Sequence, residues 1–206
     1  MNDSLCKEVL KKNLLFTSDD IKKLEIFAEL VLNFNKNYNI ISQSSESIIW
    51  SRHILDSAQI TKFIDFKSNS SLADLGSGAG FPGIVLSIFN KTKDFHVKLY
   101  EKSPVKCQFL RDSLKKLSIE AEVLESNIKN EQLSSEYIVS RAFKKFSELM
   151  KISREIEEKP FKMIIMQGKS AQEEVNKALK EYKFEYKLEN SITDKDSKIV
   201  IVNVKK

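Results

Sequence analysis

Glycine, proline, cysteine and arginine are all scarce in this chain of 206 residues, and each shortage excludes something. The two cysteines, Cys6 and Cys107, stand alone without metal-ligand spacing, so neither a disulfide framework nor a zinc site is expected. They read as the reduced thiols of a cytoplasmic protein. No apolar run approaches the roughly 18 residues of a membrane-spanning helix. The first residues, Met1-Asn-Asp-Ser-Leu-Cys-Lys-Glu8, carry no basic segment followed by an apolar core, so no secretory signal and no membrane partner are expected. There is no internal repeat and no low-complexity tract.

What is present is a soluble globular composition, 41% hydrophobic and 31% charged, on a length that fits one domain with an appendage. The net charge of +5 suits a polyanionic partner without proving one, because thirty lysines also make an ordinary solvated surface. Only Arg52, Arg111, Arg141 and Arg154 are arginine. Where a chain avoids arginine, those it keeps mark places that need a planar fork.

Residues 1–66 read as a helical extension. Thr17 or Ser18 can cap a helix with Asp19 and Asp20 in its first turn, and Ile21, Leu24, Phe27, Leu30, Val31 and Phe34 recur at helical spacing. A further helix is expected from Ser45 or Ser47 onward, carrying Ile49, Trp50, His53, Ile54, Ala58 and Ile60. Residues 67–206 alternate instead. Strands are expected near 71–75, 95–100, 120–124, 136–140, 161–167, 182–189 and 198–204, and helices near 82–90, 104–117, 144–157 and 170–181. Alternation favours parallel pairing, and the last two strands, which follow one another directly, favour a terminal antiparallel hairpin. The two parts are expected to form one compact unit.

Four of the five glycines fall within eight residues, in Asp74-Leu-Gly76-Ser-Gly78-Ala-Gly80-Phe-Pro-Gly83. A strand enters this turn and a helix leaves it, as on the nucleotide side of a doubly wound fold. A dinucleotide fingerprint would need glycine at Phe81. The pattern here sets an acid, Asp74, two residues before the first glycine. Such an acid can hold a ligand's ammonium, directly or through the turn, which suits an amino-acid-bearing cofactor better than a pyrophosphate. S-adenosylmethionine is such a cofactor, with the amides of Gly76 and Gly78 at its turn. The second strand ends in Glu101, placed to accept from ribose hydroxyls. After the third strand, Asn127, Ile128 and Lys129 stand where an adenine ring would lie. Gly168-Lys169-Ser170 imitates the end of a P-loop, but Met163 occupies the place of its first glycine.

Several longer strings carry a resemblance. Asn35-Lys-Asn-Tyr-Asn-Ile40, Arg52-His-Ile-Leu-Asp-Ser57, the glycine turn with its Phe81-Pro82-Gly83 ending, and Val139-Ser-Arg-Ala-Phe143 occur in this order. With Gly168 and Glu173-Glu174, they resemble the ribosomal RNA small subunit methyltransferase G family, also called glucose-inhibited division protein B. The resemblance implies an α/β, Rossmann-like class I S-adenosylmethionine-dependent methyltransferase fold. It implies methylation of a guanine N7 in the 530 loop of bacterial 16S rRNA, with 16S rRNA or the small ribosomal subunit particle as partner; a monomer is expected. Its cofactor contacts carry over to Gly76, Phe81, Ile128, Lys129 and Arg141, and Asp74, Gly78 and Glu101 are added from the turn and its acids. The chain departs from the family at Asn127-Ile-Lys129 and at Gln167, which precedes the late glycine in place of lysine.

Arg52, His53, Asp56 and Arg141 are the candidates for positioning the substrate. Arg52 and His53 can share a helix face with Asp56, so an Arg52–Asp56 pair is expected to hold a fork for phosphate or base. Arg141 follows a strand's carboxyl end, where open α/β sheets place ligands. Phe81, Phe143 and Tyr38 are candidates to stack a splayed base, and Lys7, Lys11, Lys12, Lys22, Lys23 and Lys36 to meet phosphates. Guanine N7 bears a lone pair and no proton, so its methylation needs no general base. Asp56 is the candidate carboxylate beside the cationic methylated base. Two other readings stay open: a nicotinamide-dependent oxidoreductase on the same fold, and a non-catalytic RNA-binding protein.

Overall fold

The computed structural model describes residues 1–205. Two helices open the chain, α1 (Asp3–Asn13) and α2 (Ser18–Asn35). A reciprocal cap starts α2: the Thr17 hydroxyl accepts from Asp20 N and the Asp20 carboxylate accepts from Thr17 N. Of its expected apolar face, Ile21, Leu24, Phe27 and Val31 are buried, while Leu30 and Phe34 pack partly exposed against the same core.

The single helix expected after Ser45 is not there. Four short pieces replace it: α3 (Gln43–Glu46), a π-helical turn (Trp50–Leu55), α4 (Asp56–Ala58) and a 3₁₀ turn (Gln59–Phe63). Trp50, Ile54, Leu55, Ala58 and Ile60 are all buried, as a helix would have them. Hydrophobic spacing therefore could not separate the two. The π turn shifts which side chains share a face, and such turns gather at functional sites.

The remainder is a seven-stranded sheet in the order β3-β2-β1-β4-β5-β7-β6. Its strands are β1 (Ser71–Leu75), β2 (His96–Glu101), β3 (Glu122–Glu125), β4 (Tyr137–Arg141), β5 (Phe161–Gln167), β6 (Glu185–Asn190) and β7 (Lys198–Val204). The first five pair in parallel, and β7 pairs antiparallel with both β5 and β6, as expected. The crossovers carry α5 (Gly83–Phe89), α6 (Pro104–Leu117), α7 (Phe146–Ile156) and α8 (Ala171–Leu179). Charged residues mark both sheet edges, Glu122 and Glu125 on β3 and Glu185 and Lys187 on β6. That discourages pairing with another chain.

Alternate residues of the central strands feed two cores. Leu72 and Val139 face one side with Ile84 and Leu110, while Ala73, Leu75 and Ile138 face the other with Phe146 and Val175. The N-terminal helices do not stand apart. Phe27, Ile54 and Ile60 belong to the same apolar cluster as Leu72, Ile84 and Ile201. Burying a side chain such as Phe27 fully contributes about 1.5–3 kcal/mol of transfer free energy, so residues 1–66 are held to the sheet by core packing. This places the π turn over the carboxyl ends of β1 and β4, at the point where strand order reverses.

Candidate functional site

Two cavities open at that switch point. The first holds about 380 Å³, within the range of small-molecule sites. The glycine turn forms its floor. Gly76 has φ +74°, and a Cβ there would lie 2.3 Å from the Phe143 ring, so both the backbone and the neighbour require glycine. At the end of β2, the Glu101 carboxylate is fixed by three amides: Gly78 N donates to Oε2 at 3.0 Å, and Lys102 N and Ser103 N donate to Oε1 at 2.9 Å each. Ile128, buried, lines the opposite wall.

Asp74 is fully buried and does not line this cavity. Its Oδ2 accepts from Gly83 N at 3.0 Å and its Oδ1 has no partner. Burial pushes its carboxyl up to about 7. Of the two expected routes to an ammonium, burial closes the direct one, and the Asp74 carboxyl ties the glycine turn to α5. Gly83 permits that closeness, since a Cβ would come within 2.2 Å of Leu99 and 2.6 Å of the Asp74 carboxylate. Lys129 also lies outside the lining, exposed, with its amide donating to Asn127 Oδ1.

The second cavity, about 450 Å³, shares His53, Arg141, Ala142 and Phe143 with the first, so these four residues form the boundary between the two. Arg141 ends β4. Its Nη2 lies 2.7 Å from His53 Nδ1, and its Nη1 lies 3.0 Å from the Arg52 carbonyl and 3.5 Å from Asp56 Oδ2. The guanidinium sits 5.2 Å above the Phe81 ring, which also stacks on His53 at 5.0 Å and packs on Phe27. Ala142 then turns at φ +52°, a conformation rare for a side-chain-bearing residue.

Hydrogen-bond arithmetic fixes the histidine. A guanidinium only donates, so His53 Nδ1 must accept and carry no proton. Nε2–H then donates to Ser45 Oγ at 2.8 Å, and Ser45 passes its own proton to Ser42 O. Burial, with Arg141 and Arg52 adding to it, pushes the imidazole down to about 3, so it is neutral at physiological pH.

The structure brings Arg52, His53, Asp56 and Arg141 together but repartners them. The expected Arg52–Asp56 pair does not form. Asp56 instead meets Arg141, and Arg52 Nη1 lies 3.6 Å from Asp194 Oδ2. The π turn separates side chains that a regular helix would align. Nor is Asp56 free to face a cationic base, because Gln59 Nε2 and Thr193 Oγ1 each donate to its Oδ1 at 2.8 Å. Of the aromatic candidates, Phe143 lines both cavities. Phe81, buried beneath the boundary, lines the first cavity alone, and Tyr38 stacks on Phe34 outside the lining of either cavity. Four of the six N-terminal lysines are already engaged, Lys7 with Glu25, Lys12 with Glu8, Lys23 with Asp19 and Lys36 with Asn33. Lys102 and Lys106 line the first cavity, and Lys144, Lys145 and Lys198 line the second. Spacing did not single out these five, nor Ser45, Gln59, Thr193 and Asp194. Among the described residues no helix is long and apolar enough to cross a membrane, and no cluster of His, Cys, Asp and Glu could hold a metal.

Comparison with known proteins places this geometry. The family model for rRNA small subunit methyltransferase G matches residues 20–201. The chain belongs to that family. It is 36% identical over 186 residues to the ribosomal RNA small subunit methyltransferase G of Rickettsia prowazekii (strain Madrid E), covering 90% of this chain and 95% of that one. The Pelagibacter ubique (strain HTCC1062) protein of the same description is 34% identical over 202 residues, covering 96% and 93%. A SAM-dependent methyltransferase from Aquifex aeolicus superposes with a TM-score of 0.59 at 16% identity, over 85% of this chain and 97% of that one, a likeness of fold. Within this family the first cavity suits S-adenosylmethionine. It offers a rigid carboxylate at Glu101, an apolar wall at Ile128 and the close, side-chain-free backbone of the glycine turn, whose Gly76, Ser77, Gly78 and Gly80 amides are themselves bonded to Tyr100 O, Glu101 and Ser77 O.

Proposed function

We propose that this protein transfers a methyl group from S-adenosylmethionine to N7 of a guanine in the small-subunit rRNA, in the 530 loop of 16S rRNA. One observation carries the reading: a cofactor-type cavity and a second, lysine-rimmed cavity meet at a boundary that holds a neutral histidine and no free base. Bound S-adenosylmethionine supplies an electrophilic methyl on a sulfonium. Guanine N7 is an sp² nitrogen whose lone pair lies in the ring plane, and no proton leaves when it is alkylated. The site must therefore place and hold rather than deprotonate.

The residues suit that task. Glu101 accepts from the ribose hydroxyls, and the Gly76–Gly80 turn seats the amino-acid end. Arg141 is immobilised by His53, the Arg52 carbonyl and Asp56, which leaves its Nε–H and one Nη2–H uncommitted by those contacts for the target base or its sugar-phosphate. Phe143 lies at the crossing, where a splayed purine can stack on it. Positive charge passes from sulfur to the base without a net charge being created, so Arg141, offset by Asp56, is not penalised. In-line placement can account for roughly 7–11 kcal/mol of barrier reduction. The rRNA substrate supports action in the cytoplasm.

The test is methyl transfer from labelled S-adenosylmethionine to small-subunit rRNA and to assembled 30S particles, with the modified atom mapped by the strand cleavage that N7-methylguanine permits. Label on a guanine N7 of the 530 loop is expected. Label on another atom or on tRNA would overturn the substrate. NADH binding without any methyl transfer would overturn the chemistry in favour of the oxidoreductase.

A further inference from the structure

The loop joining β6 to β7 lies more than 130 residues beyond Asp56 in sequence, yet the two share a closed ring of hydrogen bonds. Gln59 anchors it. Its Oε1 accepts from Ile192 N at 2.9 Å, which fixes which end of the amide is nitrogen. Its Nε2 then gives one proton to Asp56 Oδ1 at 2.8 Å and the other to Ser191 Oγ at 3.0 Å. The Thr193 hydroxyl must send its single proton to Asp56 Oδ1, since a carboxylate only accepts, and the two oxygens are 2.8 Å apart. Ser191 Oγ, 2.9 Å from Thr193 Oγ1, then donates to it and closes the ring. The other acceptor within reach of the Ser191 proton, Asp56 Oδ1, lies farther away at 3.4 Å. Gln59 is 1% exposed and Asp56 is 7% exposed, so little water competes for these groups.

A satisfied, water-poor network of this kind defines one geometry, and a ring with one member removed does not. The ring orients the carboxylate whose other oxygen faces Arg141. We propose that Thr193, with Gln59 and Ser191, is a positioning residue for methyl transfer: the β6–β7 loop sets the Arg141 fork at the cavity boundary by acting through Asp56. None of the three need touch cofactor or substrate. The geometry thus makes the C-terminal hairpin part of the methyl-transfer machinery as well as a sheet edge.

This rests on the proposed methyl transfer, and its test separates the two. Thr193→Val removes the hydroxyl and keeps the shape; Thr193→Ser keeps the hydroxyl. Single-turnover methylation of rRNA is expected to fall about tenfold in T193V, the usual scale for losing a hydrogen bond to a charged group, and to recover in T193S. The S-adenosylmethionine Kd, measured by calorimetry, is expected to change less than the rate, because the ring members lie outside the first cavity and only Arg141, which they position, borders it. In a double-mutant cycle with Asp56→Asn the losses should not multiply. The ¹⁵N resonances of His53 should shift in T193V, since Nδ1 reports the Arg141 contact. If T193V does not fold, Ser191→Ala opens the same ring and carries the same expectations. A native rate in T193V, a T193S as slow as T193V, or multiplicative losses would each overturn the proposal. If the native protein leaves rRNA unmethylated, the proposed function falls, while the His53 resonances still decide whether the ring holds Arg141.

Discussion

Arg141 Nη2 lies 2.7 Å from His53 Nδ1, and this contact decides the histidine's tautomer, while burial, with Arg141 and Arg52 adding to it, keeps the ring neutral. A protonated His53 would turn an N–H toward a guanidinium and break the link to Arg141. Its low pKa, set first by burial and then by Arg141, is a condition for that contact.

The rate of methyl transfer is therefore expected to carry no inflection from His53. An unperturbed histidine titrates near pH 6.5, so a general base would make the single-turnover rate fall as pH drops through that value. Measured between about pH 5.5 and 8 on a stable rRNA fragment, the rate should stay level. A fall with an apparent pKa near 6.5 that persists in Asp74→Asn, whose carboxyl otherwise titrates at about 7, would mean that His53 is protonated in the working enzyme and that the boundary is wrongly drawn.

Stability offers a second test, because His53 and Asp74 pull in opposite directions. The imidazole is lowered from 6.5 to about 3 in the fold, so the unfolded chain takes up a proton that the fold refuses. Stability from this group is complete above pH 6.5 and is lost as pH falls toward 3. The Asp74 carboxyl is raised from 3.8 to about 7, so ionising it penalises the fold increasingly as pH rises from 3.8 to 7. Each slope is up to about 1.4 kcal/mol per pH unit, and between pH 4 and 6.5 the two oppose one another. Asp74→Asn removes one of them. Denaturant unfolding should show D74N gaining stability relative to native as pH rises from 4 to 6.5. A constant difference across that window would show that Asp74 is ionised throughout.

Glu101→Gln tests the ribose grip. All three amides around this carboxylate donate to it. A glutamine must turn its NH₂ toward one of them, setting donor against donor. Removing a charged acceptor typically costs about 1.5–3 kcal/mol, so calorimetry should show S-adenosylmethionine binding weakened by roughly ten- to hundredfold. Unchanged affinity would place the ribose elsewhere.

Legibility in the sequence followed the range of the physics. Asp74, the four clustered glycines and Glu101 could be read because turn chemistry acts over a few residues, and the turn formed where they predicted it. The parallel pairing of the first five strands and the terminal hairpin were legible from the alternation of apolar runs. The π turn was not, since Trp50, Ile54 and Ala58 satisfy helical spacing in either form. The partners of Arg141 and Arg52 were not legible either. Asp56 lies 85 residues from Arg141, and Asp194 lies 142 from Arg52, so only the tertiary fold makes these pairs. Local logic paired Arg52 with Asp56 because they are neighbours in the chain, and the π turn undid that.

The Arg52–Asp194 pair leads to the last prediction. Both side chains are partly exposed, Arg52 lines the second cavity, and Asp194 sits in the β6–β7 loop. Asp194 is kept ionised first by Asp196 N and then by the Ser197 hydroxyl, with Arg52 a smaller influence. An exposed pair of this kind contributes little to stability, yet its Arg52 lines the second cavity, to which the proposed function would bring an RNA phosphate. A phosphate must displace Asp194 to reach the Arg52 fork, and it meets a like charge while doing so. Asp194→Asn keeps an acceptor for the loop and removes the competitor. RNA affinity should then rise several-fold, and the dependence of log K on log salt between about 50 and 200 mM should steepen by up to about one unit, as for one additional phosphate contact. Unchanged affinity and slope would mean that Arg52 turns toward the base and leaves the backbone to the lysines, in which case Arg52→Lys should impair methylation while leaving the salt slope intact.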